Sequence, residues 1–316
     1  MREKPSTEEV IIVFTEHPVL GPLLTPYLAE RDENGTYHLM EQAFHASPER
    51  FAKMSEAERQ TIEIASHYAE KYLMEVYSRE KTVARFLRKL SEEPERFKTV
   101  IRPFIEKKLL EILALIRSNN LPLYQKQARS KLLYAHHACE VHPHDVEIHF
   151  TFQADPHNFR YELKCRYEKQ DLSLTELKPV IALTSSPTTL FLGMHLYFFP
   201  HIESMRILPF TKKRSISVDA SQTQKYIDNI VIPVARYHDI TTRGLTIVEE
   251  KLSGEALLTI EDTVYGEQMI RLNYRYGTYN FTPGSADEMK KIIYRKGTVE
   301  ICFFLRDAGF EENRLQ

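Results

Sequence analysis

The chain has no tryptophan and only 10 glycines in 316 residues. So few glycines leave little material for phosphate-cradling loops. No glycine is followed by lysine and no Gly-x-Gly-x-x-Gly occurs, so the P-loop and the dinucleotide fingerprint are both absent. Cysteine is scarce too: Cys139, Cys165 and Cys302 lie far apart and are odd in number. They form neither a disulfide framework nor a Cys-x-x-Cys knuckle, which points to a reducing interior. The opening MREKPSTEEV lacks the apolar core of a secretory signal. No run of eighteen apolar residues occurs, so no membrane-spanning helix is expected and the reading is a cytoplasmic protein. Net charge is also lacking, at −2, but a balanced total can hide local asymmetry.

What is abundant is tyrosine and phenylalanine, 17 of each, in a chain long enough for two ordinary cores. Residues 9–14, EVIIVF, fit a buried strand, and Asn34-Gly35 supplies a tight turn before a second strand at 37–40. A helical block follows. Ser47-Pro48 has the order of N-cap and first-turn proline, and Ser55-x-x-Glu58 has capping-box spacing. Apolar stripes at three-and-four spacing run through 62–76, 83–90 and 100–116. A fourth helix is predicted over 124–139.

After His144 the period changes towards two. Alternation over 146–152 and 159–165 predicts paired strands, as do 180–183 and 189–192. One helix is predicted over 222–230, then strands at 245–250, 256–260, 269–276 and 278–281. The last segment reads as a strand at 289–294 and a terminal amphipathic helix over 298–308, an ending that looks like a boundary before a further domain. The expected fold class is therefore α+β: a mostly helical module with a short N-terminal β element over 1–142, then an antiparallel β-rich domain over 143–316.

Three constellations could carry chemistry. His136, Cys139, His142 and His144 offer imidazole and thiolate donors, but no distant pair with zinc-site spacing completes a tetrahedron. The expectation is surface histidines at a helix-to-strand junction, with no metal and no cofactor. Asp145 with Glu162 and Lys164 has the composition of a metal-dependent nuclease; its bland counterpart is the solvent face of a hairpin. Basic residues are the third: fourteen Lys and Arg against six Asp and Glu between Arg79 and Lys131, with smaller groups at Lys212, Lys213 and Arg214 and at Lys290, Lys291 and Arg295. Such groups make salt-sensitive phosphate contacts or form a solvated face.

Arg295, Glu300, Leu305 and Gly309-Phe310 together resemble the segment directly before the motor in bacterial Swi/Snf-type ATPases, the helicase-like DNA translocases. The opening EVIIVFTEHPVLGPLLTPYL is similar to openings of such proteins. Lys296 departs from the pattern, which has aspartate there, and the Cys-x-Cys of the zinc-binding SWIM motif is absent. The resemblance implies a non-catalytic accessory region of a larger DNA-dependent ATPase. Its partners would be the motor domain of the same polypeptide and double-stranded DNA, with Arg295, Glu300, Leu305, Gly309 and Phe310 at the junction. No motor residue carries over, because no motor motif is present. A protein-interaction module without DNA binding is the remaining class.

Overall fold

The computed structural model describes residues 7–126, 130–154, 158–200, 202–219 and 222, and between 240 and 305 the backbone of seven strands. The chain is mixed α+β, helical in its N-terminal part and β-rich afterwards. It divides into two compact units, one made of 1–147 and 165–212, the other of 148–164 and 213–316. The expected cut at 142/143 is single, whereas the first unit takes back a later segment.

The first unit opens with β1 (Thr7–His17), β2 (Gly21–Arg31) and β3 (Tyr37–Gln42), an antiparallel meander. Asp32 Oδ1 accepts from the backbone N–H groups of Asn34 and Thr36, and Gly35 at φ +79° supplies the left-handed step. β1 is apolar without alternation because both its faces are covered. Ile12 and Phe14 enter the main core, whereas Ile11 and Val13 pack with Tyr37, Leu39 and Leu133.

Six helical segments follow: α1 (Pro48–Lys53), α2 (Glu56–Ser66), α3 (Glu70–Tyr77), α4 (Val83–Glu92), α5 (Pro94–Arg96) and α6 (Arg102–Asn119), with a π-turn at Phe97–Ile101. The capping box of α2 is complete: Glu58 N–H donates to Ser55 Oγ and Ser55 N–H to Glu58 Oε2. Ile101, Ile105, Leu109, Ile112, Leu113 and Ile116 form the buried stripe that packs α6 into the main core. Asn120, in the left-handed conformation, ends that helix.

The helix predicted over 124–139 does not form. Leu123–Gln125 is β4, parallel to β1, and Leu132–Leu133 is β5, paired with β3. Each adds to an edge of the first sheet, whose order is β4-β1-β2-β3-β5. A single 3₁₀ turn, Ala135–His137, is all the helix that remains among the described residues there.

A second sheet, β10-β11-β12-β6, closes the unit, from β10 (Val180–Ser185), β11 (Thr188–Leu192), β12 (His195–Phe199) and β6 (Glu140–Asp145). β10, β11 and β12 are antiparallel, while β6 is parallel to β12. β11 is buried at every position. Phe191 meets Phe14 of the first sheet with ring centroids 4.3 Å apart. The short helix α7 (Ser204–Ile207) follows. β8 (Asn158–Tyr167) ends within this unit, where Cys165–Tyr167 pairs with β9 (Gln170–Leu172).

In the second unit, β13 (Ser215–Asp219) is antiparallel to the earlier part of β8, and β14 (Ile240–Arg243) is parallel to β7 (Glu147–Ala154). β16 (Ala256–Asp262), β17 (Gln268–Tyr276) and β18 (Tyr279–Phe281) form an antiparallel sheet. β15 (Leu245–Lys251), β19 (Glu288–Arg295) and β20 (Thr298–Leu305) form another, in the order β15-β20-β19. β20 corrects the predicted terminal helix. TVEICFFL is rich in β-branched and aromatic residues, and its backbone pairs on both sides, antiparallel to β19 and parallel to β15. Apart from Gln222, the predicted helix over 222–230 lies outside the described residues, as does the Gly309-Phe310 pair.

Candidate functional site

The histidine cluster of the sequence does not stay together. His136 and His137 sit on the 3₁₀ turn, where His137 is buried and its Nδ1 accepts from Tyr134 N–H at 3.2 Å. Burial, helped by neighbouring His136, holds the His137 imidazole below its ordinary pKa. Cys139 is buried beside the main core, away from the other donors of the cluster, and that burial pushes its thiol up to about 12. His144 is exposed and lies 3.8 Å from Glu168.

His142 alone joins a site, and it does so through β6. Val141 packs against the main core. Glu140 and His142, two residues apart, therefore share the other face of the strand. The partner strand supplies the third group, because Glu140 stands opposite His195 in the β6–β12 register. The register then shifts between Leu196 and Phe198, where Pro143 has no N–H to give the ladder. Arg117 of α6 holds this bulge from the side. Its guanidinium donates to Pro143 O and Asp145 Oδ1 and lies 4.2 Å from the Phe198 ring centroid.

The resulting geometry is compact. His142 Nε2 and His195 Nδ1 are 3.1 Å apart, His195 Nδ1 and Glu140 Oε2 3.2 Å, and His142 Nε2 and Glu140 Oε1 3.9 Å. The His142 ring stacks on Tyr197 at 4.1 Å with an interplanar angle of 4°, and Tyr167 meets it edge-on at 4.8 Å. Only 13% of the His142 side chain is exposed, against 65% for Glu140. Burial keeps the His142 imidazole below its ordinary pKa; Glu140 pulls it back up and His195 pushes it further down. Glu140 and His142 of the trio line a cleft of about 360 Å³ that Tyr167, Glu168, Gln170 and Asp171 also line. Glu168 and Lys169 form the two-residue turn of the β8–β9 hairpin with φ of 49° and 71°, a left-handed pair normally given to Asn-Gly.

Sequence reasoning found His142 but missed Glu140 and His195. The distant donor it looked for is a single histidine rather than a spaced pair. The available signal was Glu-x-His on a strand with a His-bearing strand later in the chain.

Of the nuclease-like set Asp145, Glu162 and Lys164, both carboxylates are ion-paired. Asp145 is paired with Arg117 at 3.0 Å, and Glu162 with Arg160 at 2.9 Å. Asp145 belongs to the first unit, Glu162 and Lys164 to the second.

The basic stretch is half neutralised. Arg88, Lys89, Arg96, Lys98, Arg102, Lys108 and Arg117 are each ion-paired. Arg79, Lys81, Arg85 and Lys107 are exposed and form no ion pair among the described residues. The first three flank the N-terminus of α4, capped by Thr82 and with no acid in its first turn. Lys212, Lys213 and Arg214 are exposed after the 3₁₀ turn Leu208–Thr211. Lys290, Lys291 and Arg295 lie on β19, where Lys290 pairs with Phe303 and Lys291 with Cys302. Glu300 and Leu305 lie on β20, opposite Ile293 and Glu288. Comparison with protein-family models, with curated proteins and with solved structures found no match to this chain. No helix among the described residues is long and apolar enough to cross a membrane.

Proposed function

We propose that this chain is a non-catalytic accessory region that contacts the phosphate backbone of duplex DNA and serves a helicase-like motor. One observation carries the DNA part: the exposed, unpaired Arg79, Lys81 and Arg85 surround the N-terminus of α4. A helix N-terminus carries partial positive charge and N–H groups, the first turn of α4 holds no acid, and the nearby Glu80 is paired with Lys89. Lys212, Lys213 and Arg214 add a second exposed basic group. The motor part rests on the resemblance of Arg295, Glu300, Leu305 and Gly309-Phe310 to the segment preceding Swi/Snf-type motors.

Fluorescence anisotropy of a labelled duplex tests the reading. Binding should weaken steeply with salt, each neutralised phosphate contributing about −0.9 to the slope of log K against log salt. Arg79→Glu, Lys81→Glu and Arg85→Glu combined should reduce both affinity and slope. No binding at low salt would leave a module that contacts protein alone. Robust ATP hydrolysis by this chain would also contradict the reading.

A further inference from the structure

We propose that Glu140, His142 and His195 bind a first-row divalent transition cation, zinc in the first instance, and that the ion pins β6 to β12. The proposal stands on geometry independent of any DNA contact. The three donor atoms lie within 4.8 Å of one another, the one such trio among the described residues. Zinc takes nitrogen and carboxylate oxygen at about 2.0–2.2 Å, so tetrahedral neighbours on one ion lie about 3.3–3.6 Å apart. The two imidazole nitrogens at 3.1 Å and His195 Nδ1 to Glu140 Oε2 at 3.2 Å lie just below that interval, and the nearer Glu140 oxygen to His142 Nε2 is the other one, Oε1, at 3.9 Å. Little movement is needed to seat an ion between the rings.

Two alternatives are simpler. In one, His195 Nδ1–H lies between His142 Nε2 and Glu140 Oε2 and donates to them, giving a local hydrogen bond and nothing more. In the other, Glu140 is merely a solvated acid beside two rings. Neither makes use of the way the trio is held. The His142 plane is fixed by stacking on Tyr197 and by the edge of Tyr167, and the bulge that positions it is clamped by Arg117. Rigid donors are what metal affinity needs. Glu168 adds a further carboxylate to the cleft lining, while Asp171 there is paired with Arg166 at 3.5 Å. Two imidazoles and one carboxylate suit zinc-class ions rather than magnesium or calcium, which prefer all-oxygen shells. Three protein donors leave a coordination position facing the cleft, open to water or to a small anionic ligand.

The test is zinc titration of the full chain, freed of its affinity tag and of chelator, followed by calorimetry and by the visible spectrum of the cobalt form. One equivalent of zinc should bind, raise the melting temperature, and be removed by chelator, with magnesium giving neither effect. Cobalt should show the intense visible absorption of a four- or five-coordinate site. Glu140→Gln and His195→Ala, both at partly exposed positions, should each weaken binding more than about tenfold. His136→Ala and His144→Ala should leave it unchanged. No zinc binding, binding unaltered in Glu140→Gln and His195→Ala, or binding lost in His136→Ala would overturn the proposal. Circular dichroism of each variant separates loss of the site from loss of the fold, and the cobalt spectrum of the unaltered chain tests the site even if a variant unfolds.

Discussion

Arg102 reaches carbonyl oxygens on both sheets of the first unit. Its Nη1 donates to Leu20 O and Pro22 O at 3.0 Å, its Nη2 to Leu183 O at 2.6 Å, and its Nε to Glu106 at 2.9 Å. Glu106 in turn accepts from Ser185 N–H and Oγ. Burial lowers the guanidinium pKa and Glu106 raises it, so the pair holds its charge by mutual support. Replacing one partner strands the other charge and three carbonyls. Arg102→Ala should therefore cost about 3–5 kcal/mol, read by denaturant unfolding. A loss under about 1 kcal/mol would show that solvent replaces the guanidinium.

His137 adds a pH effect at the same scale. Its imidazole is held below the unfolded value, so between the two pKa values the unfolded chain binds more protons than the folded one. Stability from this group is fully present above about pH 6.5 and falls as the pH drops towards the folded pKa. His137→Asn keeps an acceptor for Tyr134 N–H and removes the titration. Denaturation at a series of pH values should show a shallower acid decline for this variant; identical slopes would reject the assignment.

Elements are joined by few contacts of high value. Phe191, 1% exposed, and Phe14, 2% exposed, connect the two sheets of the first unit. Phe191→Ala should cost about 3–5 kcal/mol by calorimetry. In the β8–β9 turn, Lys169 occupies a left-handed position that suits glycine. Lys169→Gly should raise stability by about 1 kcal/mol, the reverse of the usual effect of introducing glycine. The elements also show what was legible in the sequence. The α2 capping box and the buried stripe of α6 follow local chemistry, and both are present. Leu123–Gln125 and Leu132–Leu133 are strands only because β1 and β3 offer edges, a long-range fact that no local period carries. TVEICFFL reads as a helix from its local pattern because consecutive apolar residues fit a helix face as readily as a strand paired on both edges. His195 was invisible for the same reason: its relation to Glu140 exists only in the β6–β12 register.

At the scale of the whole molecule, a net charge of −2 conceals an uneven surface. The acids within the 79–131 stretch are committed to neighbouring Lys and Arg, which leaves part of the positive surplus, Arg79, Lys81 and Arg85, exposed around the start of α4 and Lys107 exposed on α6. That distribution is why a nearly neutral chain is proposed to bind a polyanion. Hydrogen–deuterium exchange of the full chain, with and without a duplex at low salt, tests this most directly. Added DNA should slow exchange over residues 79–86 and 211–215, with the protection lost as salt is raised. Protection confined to other segments, or no change at all, would contradict it.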